Sequence, residues 1–166
     1  GANRVLTMDL HAPQRQGFFD IPLDHLLGNP VFVNYYLGKF DESVYNHEEF
    51  VVVSPDVGSV SRARTFAGKV HMGLAIVDKR RQKANVCEVM NVIGDVKDKT
   101  CIIFDDMVDT AGSLCNAAQA LVDNGAREVY ACATHGVLSD PATERIENSV
   151  IQELMLLNTI PLPAGY

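Results

Sequence analysis

The sequence predicts an α/β fold, a mostly parallel sheet with helices on both faces, and three observations predict it. Short apolar segments recur at RVLTMDL (4–10), FVVVSP (50–55), LAIVD (74–78), TCIIF (100–104), VYACAT (129–134) and ELMLLN (153–158). Several are continuously apolar, the mark of strands buried on both sides. Between them runs a helical period: in 112–124, Leu114, Ala117, Ala118, Leu121 and Val122 form one apolar stripe, closed by Asn124-Gly125. Residues 58–70 repeat the design with Val60, Ala63, Ala67 and Val70. Strand alternating with helix gives parallel pairing, and ligands gather at the C-terminal ends of such strands.

Composition narrows the class. A chain of 166 residues suits one domain with a sizeable core. Its net charge of −7 argues against a non-specific binder of nucleic acid or of an anionic membrane. An anionic substrate must therefore meet a local basic cluster or a divalent cation. No apolar stretch approaches the roughly 18 residues of a membrane span. There is no signal peptide, and Gly1 stands where a start methionine is absent, so the chain reads as cut at its front. Cys87, Cys101, Cys115 and Cys132 are scattered without a CxxC pair, which points to a reducing, cytoplasmic setting. No internal repeat, low-complexity tract or linker is evident.

Taken in chain order, RVLTMDL alternates, which puts Val5, Thr7, Asp9 and His11 on one side. Residues 34–49 read as a helix and its exit loop. VVSPDVGSVSRAR runs a strand into a helix and offers amides near Gly58 and Ser59; its plainer reading is an N-capped helix start with surface arginines. KRRQK (79–83) places four cations in five positions after a buried strand, which ordinarily marks a solvated run. His135 follows a strand among apolar neighbours and reads as structural at least as readily as chemical.

CIIFDDMVDTAGS (101–113) carries the most chemistry. Its strand should end near Phe104 and its helix begin around Ala111-Gly112. Small loop residues let backbone N–H groups approach a ligand, and the helix N-terminus adds partial positive charge, so the loop suits a phosphate. Carboxylates suit sugar hydroxyls or Mg²⁺ instead. Together they describe a sugar phosphate: hydroxyls on Asp105 and Asp106, phosphate on the amides of Asp109, Thr110, Ala111, Gly112 and Ser113. The alternative is an ordinary strand-to-helix turn with Asp109 or Thr110 as N-cap.

The stretch DDMVDTAG (105–112) resembles the phosphoribosyl-diphosphate loop of the type I phosphoribosyltransferase fold, in the variant of the ribose-phosphate diphosphokinases. RVLTMDLH…QGFFDIP (4–22), VVSPDVG…RAR (52–64), DKRR…NVCEVMNVIGDV (78–96), GAREVYACATHGVLS (125–139) and NTIPLP (158–163) agree with that family in order and spacing. The resemblance implies transfer of the diphosphoryl group of ATP to the 1-hydroxyl of ribose 5-phosphate, giving phosphoribosyl diphosphate and AMP. It implies Asp105 and Asp106 on the ribose hydroxyls and residues 109–113 on the 5-phosphate. His11 and Asp56 would hold Mg²⁺, and Lys79 and Arg81, at the base of a mobile loop, would stabilise charge on the transferred group. It further implies a homo-oligomer, hexameric in the family, and phosphate or ADP effectors. Three departures stand out: Gly58-Ser59 where two glycines are usual, Pro13 for a polar residue and Arg15 for an aliphatic one. Family chains are about twice as long, with two similar domains and a C-terminal element. Residues 1–166 thus read as one phosphoribosyltransferase-like domain of a longer chain, able to bind ribose 5-phosphate but turning over poorly alone. A non-catalytic regulatory homologue and a phosphoribosyltransferase are the alternatives.

Overall fold

The computed structural model describes residues 1–40, 46–80 and 89–162. Its elements run β1 (Val5–Met8), β2 (Leu23–Leu26), α1 (Asn29–Lys39), β3 (Phe50–Ser54), α2 (Val60–Lys69), β4 (Gly73–Arg80), β5 (Val89–Ile93), β6 (Thr100–Val108), α3 (Gly112–Asp123), β7 (Glu128–Gly136), α4 (Ala142–Glu147) and β8 (Ile151–Leu156). Among the described residues no helix is long and apolar enough to cross a membrane.

Six strands form the main sheet in the order β5-β4-β3-β6-β7-β8. All pairs are parallel except β4 with β5. The chain leaves β3 toward β4 on one side and resumes at β6 on the other. The strand order therefore reverses between β3 and β6, where a crevice opens at the strands' C-terminal ends.

The continuous apolar runs are explained by a core on each face. Val51 and Val53 pack with Ile103, Leu114, Ala117 and Leu121 of one cluster. Val52, between them, packs with Phe32, Phe66, Ile102 and Phe104 of the other. A period of two thus buries every residue of β3 from Val51 to Ser54. The predicted stripe on 112–124 is buried at Leu114, Ala117, Ala118 and Leu121 and half-buried at Val122, and Asn124 with Gly125, at φ 90°, ends the helix. Cys101 and Cys132 are buried and free. Cys87 lies outside the described residues.

Two strands escaped the sequence reading, β2 and β5, both short of apolar continuity. β2 pairs with β1 in a separate two-stranded parallel sheet. This small unit reproduces the pattern of β7–α4–β8: a strand, a short helical turn (here 3₁₀, Pro13–Phe18), then a parallel strand. Gly1-Ala2, Val5 and His11 fall at the same spacing as Gly125-Ala126, Val129 and His135. The likeness is too sparse to have registered as a repeat from sequence.

The small sheet is tied to the large one through buried polar groups. Asp9, 6% exposed, accepts hydrogen bonds at Oδ2 from the Gly28 amide at 2.9 Å and from the Thr134 hydroxyl. His135 Nε2 donates to the Met8 carbonyl at 2.9 Å, which gives this histidine the structural role. One expectation fails here. β1 ends at Met8 and Asp9 adopts φ 40°, so alternation stops: Asp9 turns inward and His11 stays exposed, although both line one cleft.

Gly28 sits where these ties converge. A Cβ there would lie 2.6 Å from Leu157 Cδ1 and 2.8 Å from Asp9 Oδ2. Gly28→Ala is expected to cost about 1–3 kcal/mol of unfolding free energy by overpacking, read from denaturant titration.

Candidate functional site

The alternation that buries β6 also places the acids. Cys101 and Ile103 face the α3 cluster, and Ile102 and Phe104 face the cluster of α1 and α2. The expected strand end near Phe104 is corrected: β6 continues to Val108, carrying the same alternation through the acidic pair. Asp105 lines only the cleft beside α3, whereas Asp106 also lines the larger cleft beside α2. Neighbours in sequence thus meet different surroundings.

His11, Asp56, Asp105, Asp106 and residues 109–113 all line one cleft of about 240 Å³. Its far wall is the turn from β6 into α3. Neither Asp109 nor Thr110 caps the helix; the N-cap is Ala111, left-handed at φ 59°, ψ 2°, with no side-chain cap bond. A non-glycine residue in that region is held at a cost of about 1–2 kcal/mol, and such strain collects at ligand-binding turns. The first amides of α3 have no acceptor within the helix. From α4, Arg145 Nη1 donates to the Thr110 carbonyl at 2.9 Å and fixes the turn from behind.

The near wall is the turn from β3 into α2. Asp56 Oδ1 accepts from the Ser59 amide at 2.7 Å, and the Ser54 hydroxyl donates to the Asp56 carbonyl at 2.7 Å. Asp56 therefore shapes the helix entry while its other carboxylate oxygen has no recorded bond among the described residues. Ser59 has φ −87°, so this position needs no glycine for its backbone.

Asp106 Oδ2 accepts from His11 Nδ1 at 2.9 Å and from Arg62 Nη1 at 3.0 Å. Burial alone would raise Asp106, but the Arg62 charge and its hydrogen bonds hold it below the usual carboxylate range. Asp105 goes the other way. Burial pushes it up to about 7, and the nearby Asp106 and Asp56 carboxylates add to this, although it accepts the Asp106 amide at 2.8 Å. One acid of the pair stays ionised and the other keeps its proton near neutrality.

The phosphoribosyl synthetase-associated domain matches residues 82–164, half of the chain. The chain belongs to the phosphoribosyl synthetase family. It is 63% identical over 165 residues to a ribose-phosphate pyrophosphokinase of Clostridium perfringens, covering 99% of this chain and 51% of that one. The Bacillus subtilis protein of the same name is 56% identical over 163 residues, 98% of this chain and 50% of its own. A phosphoribosylpyrophosphate synthetase from Mycobacterium smegmatis superposes with TM-score 0.87 at 41% identity, over 99% of this chain and 51% of that chain. A purine phosphoribosyltransferase from Pyrococcus horikoshii, 15% identical with TM-score 0.55 over 94% of this chain and 88% of its own, shares the fold. The chain spans about half the length of the curated synthetases it matches.

Within this synthetase fold Lys79 lies near the end of β4, exposed, on the strand beside β3. It is not among the described residues lining the cleft. Arg81 lies outside the described residues. Arg62 and Arg145 were missed from sequence, where RAR passed as surface charge and Arg145 carried no motif. Arg62 follows Asp56 by six residues along a strand-to-helix turn, a spacing whose meaning appears only when α2 packs beside β6.

The raised Asp105 sets a pH dependence. Between an ordinary unfolded pKa and about 7, the folded state holds a proton the unfolded state has lost, so stability falls as pH rises through that window. Asp105→Asn, which cannot ionise, is expected to be more stable than wild type at pH 8 by an amount on the order of 1 kcal/mol. The advantage should vanish below about pH 4, where both states of the wild type are protonated. Urea titrations at the two pH values measure it.

Proposed function

We propose that this chain is the ribose 5-phosphate-binding half of a ribose-phosphate diphosphokinase, which transfers the diphosphoryl group of ATP to the sugar's 1-hydroxyl. One observation carries the reading: a single cleft joins the Asp105–Asp106 pair to the anion-binding turn at 109–113. A pentose 5-phosphate presents both complements, vicinal hydroxyls and a terminal phosphate. The α3 amides and helix dipole take the phosphate, with Arg145 keeping the turn in shape. The acids take the hydroxyls, Asp105 with the oxygen that the Asp106 amide leaves open and Asp106 with the one that His11 and Arg62 leave open.

With the sugar so held, its 1-hydroxyl attacks the β-phosphorus of ATP in line, and AMP leaves. Positioning supplies much of the rate, and no covalent enzyme intermediate is needed. Lys79, and Arg81 beyond it, would meet charge on the transferred group. The donor set suits a cation that takes most ligands from substrate. Among the described residues no group of three or more His, Cys, Asp or Glu side chains is placed to hold a metal. His11 and the open oxygen of Asp56 line the cleft, and they would hold Mg²⁺, which when bound offsets nucleotide phosphate charge. Contacts to the adenine, and the homo-oligomer, would come with the remaining half of the protein.

Calorimetry tests the reading. Ribose 5-phosphate should bind the wild type. Ala111→Val should lose at least tenfold in affinity, because a β-branched residue resists the left-handed turn. AMP should form from ATP and ribose 5-phosphate with the full-length protein and only slowly with the 166-residue chain. A full-length protein indifferent to pentose 5-phosphates would falsify the proposal.

A further inference from the structure

The geometry points to Arg62 as a positioning residue that fixes the imidazole of His11 through Asp106. This rests on the functional reading above, which gives His11 its task.

A single oxygen, Asp106 Oδ2, accepts from two donors, His11 Nδ1 at 2.9 Å and Arg62 Nη1 at 3.0 Å. The Asp106 side chain is 5% exposed and that of Arg62 25%, whereas that of His11 is 77% exposed. The buried pair is therefore the fixed part and the imidazole the part being held. Left alone, an exposed histidine beyond the end of β1 samples several rotamers and both tautomers. A carboxylate on Nδ1 selects the Nδ1–H tautomer and leaves Nε2 with its lone pair free for a ligand. A buried carboxylate keeps such a pose only if its charge is met. Arg62 meets it from α2.

Arg62 does not itself line the cleft of the sugar site; it lines the larger one, about 750 Å³, on the α2 side of Asp106. Its link to the sugar site runs through Asp106, and the His11→Ala background separates that link from any contact Arg62 makes in the larger cleft. A direct substrate contact would weaken sugar binding, whereas a positioning role lowers turnover and spares it. In the full-length protein, Arg62→Gln should lower kcat about tenfold while the calorimetric Kd for ribose 5-phosphate stays within about twofold. Arg62→Lys, which keeps the charge without the planar fork, should lose about threefold. In a His11→Ala background neither change should lower kcat further, since the group they position is gone. Mn²⁺ bound with α,β-methylene ATP should show nitrogen modulation from His11 by pulsed electron paramagnetic resonance, weakened in Arg62→Gln.

Full losses persisting in the His11→Ala background overturn the proposal, and so does a Kd that rises as much as kcat falls. Unchanged nitrogen modulation in Arg62→Gln overturns it as well. If Arg62→Gln does not fold, Arg62→Lys with and without His11→Ala decides alone. Wild-type protein that ignores ribose 5-phosphate brings down the functional reading instead, a failure that calorimetry separates from these.

Discussion

The site is organised around one buried carboxylate. Asp106, 4% exposed near the end of the central strand β6, has two donors on the same oxygen, the Arg62 guanidinium from α2 and the His11 imidazole from the segment after β1. An unpaired charge so placed would cost several kcal/mol, roughly the scale of a domain's whole stability, so its partners are constrained in turn. The position of α2, the pose of His11 and the docking of β1–β2 all meet at this atom. The same pairing divides the labour of two adjacent aspartates, since Arg62 favours the ionised form of one and burial the protonated form of the other.

A rigid floor lies beneath that carboxylate. Phe104, two residues before Asp106, stacks on Phe66 of α2 with centroids 4.6 Å apart and meets the edge of Phe32 from α1 at 5.4 Å. Offset-stacked and edge-on rings of this kind add directional packing to their burial. They set the separation between α2 and β6, and so the reach of Arg62. On the opposite face α3 packs on the sheet through Ala117 and Ala118 between Leu114 and Leu121, and the two alanines allow a close approach. That close approach brings the helix N-terminus to the end of β6.

The small sheet presents a different problem. A parallel pair of four-residue strands has little stability of its own, and both β1 and β2 leave large side chains such as Leu6 and Leu26 exposed. Its place is held by polar ties, with Asp9 bonded to Gly28 and Thr134, and His135 bonded to Met8. Polar ties are directional where apolar contacts are not. They fix where the segment that bears His11 emerges.

By itself the sequence determined the alternation of strand and helix, the strands buried on both faces, and the acidic strand end followed by a small-residue turn at 105–113. These are local properties: apolar period, helix stop signals and small residues beside carboxylates act over a few positions, so they can be read in order. Tertiary structure alone decided which side each acid faces, because that depended on β6 continuing four residues past Phe104, a matter of pairing with β7. It decided that RAR contains the counter-ion of Asp106, and that Ala111 and not Asp109 or Thr110 marks the helix start. Partners distant in sequence, such as Arg62 and Asp106 or Arg145 and Thr110, leave no periodic trace, because charge and hydrogen bonding act across space and only the packed helices bring those groups within reach.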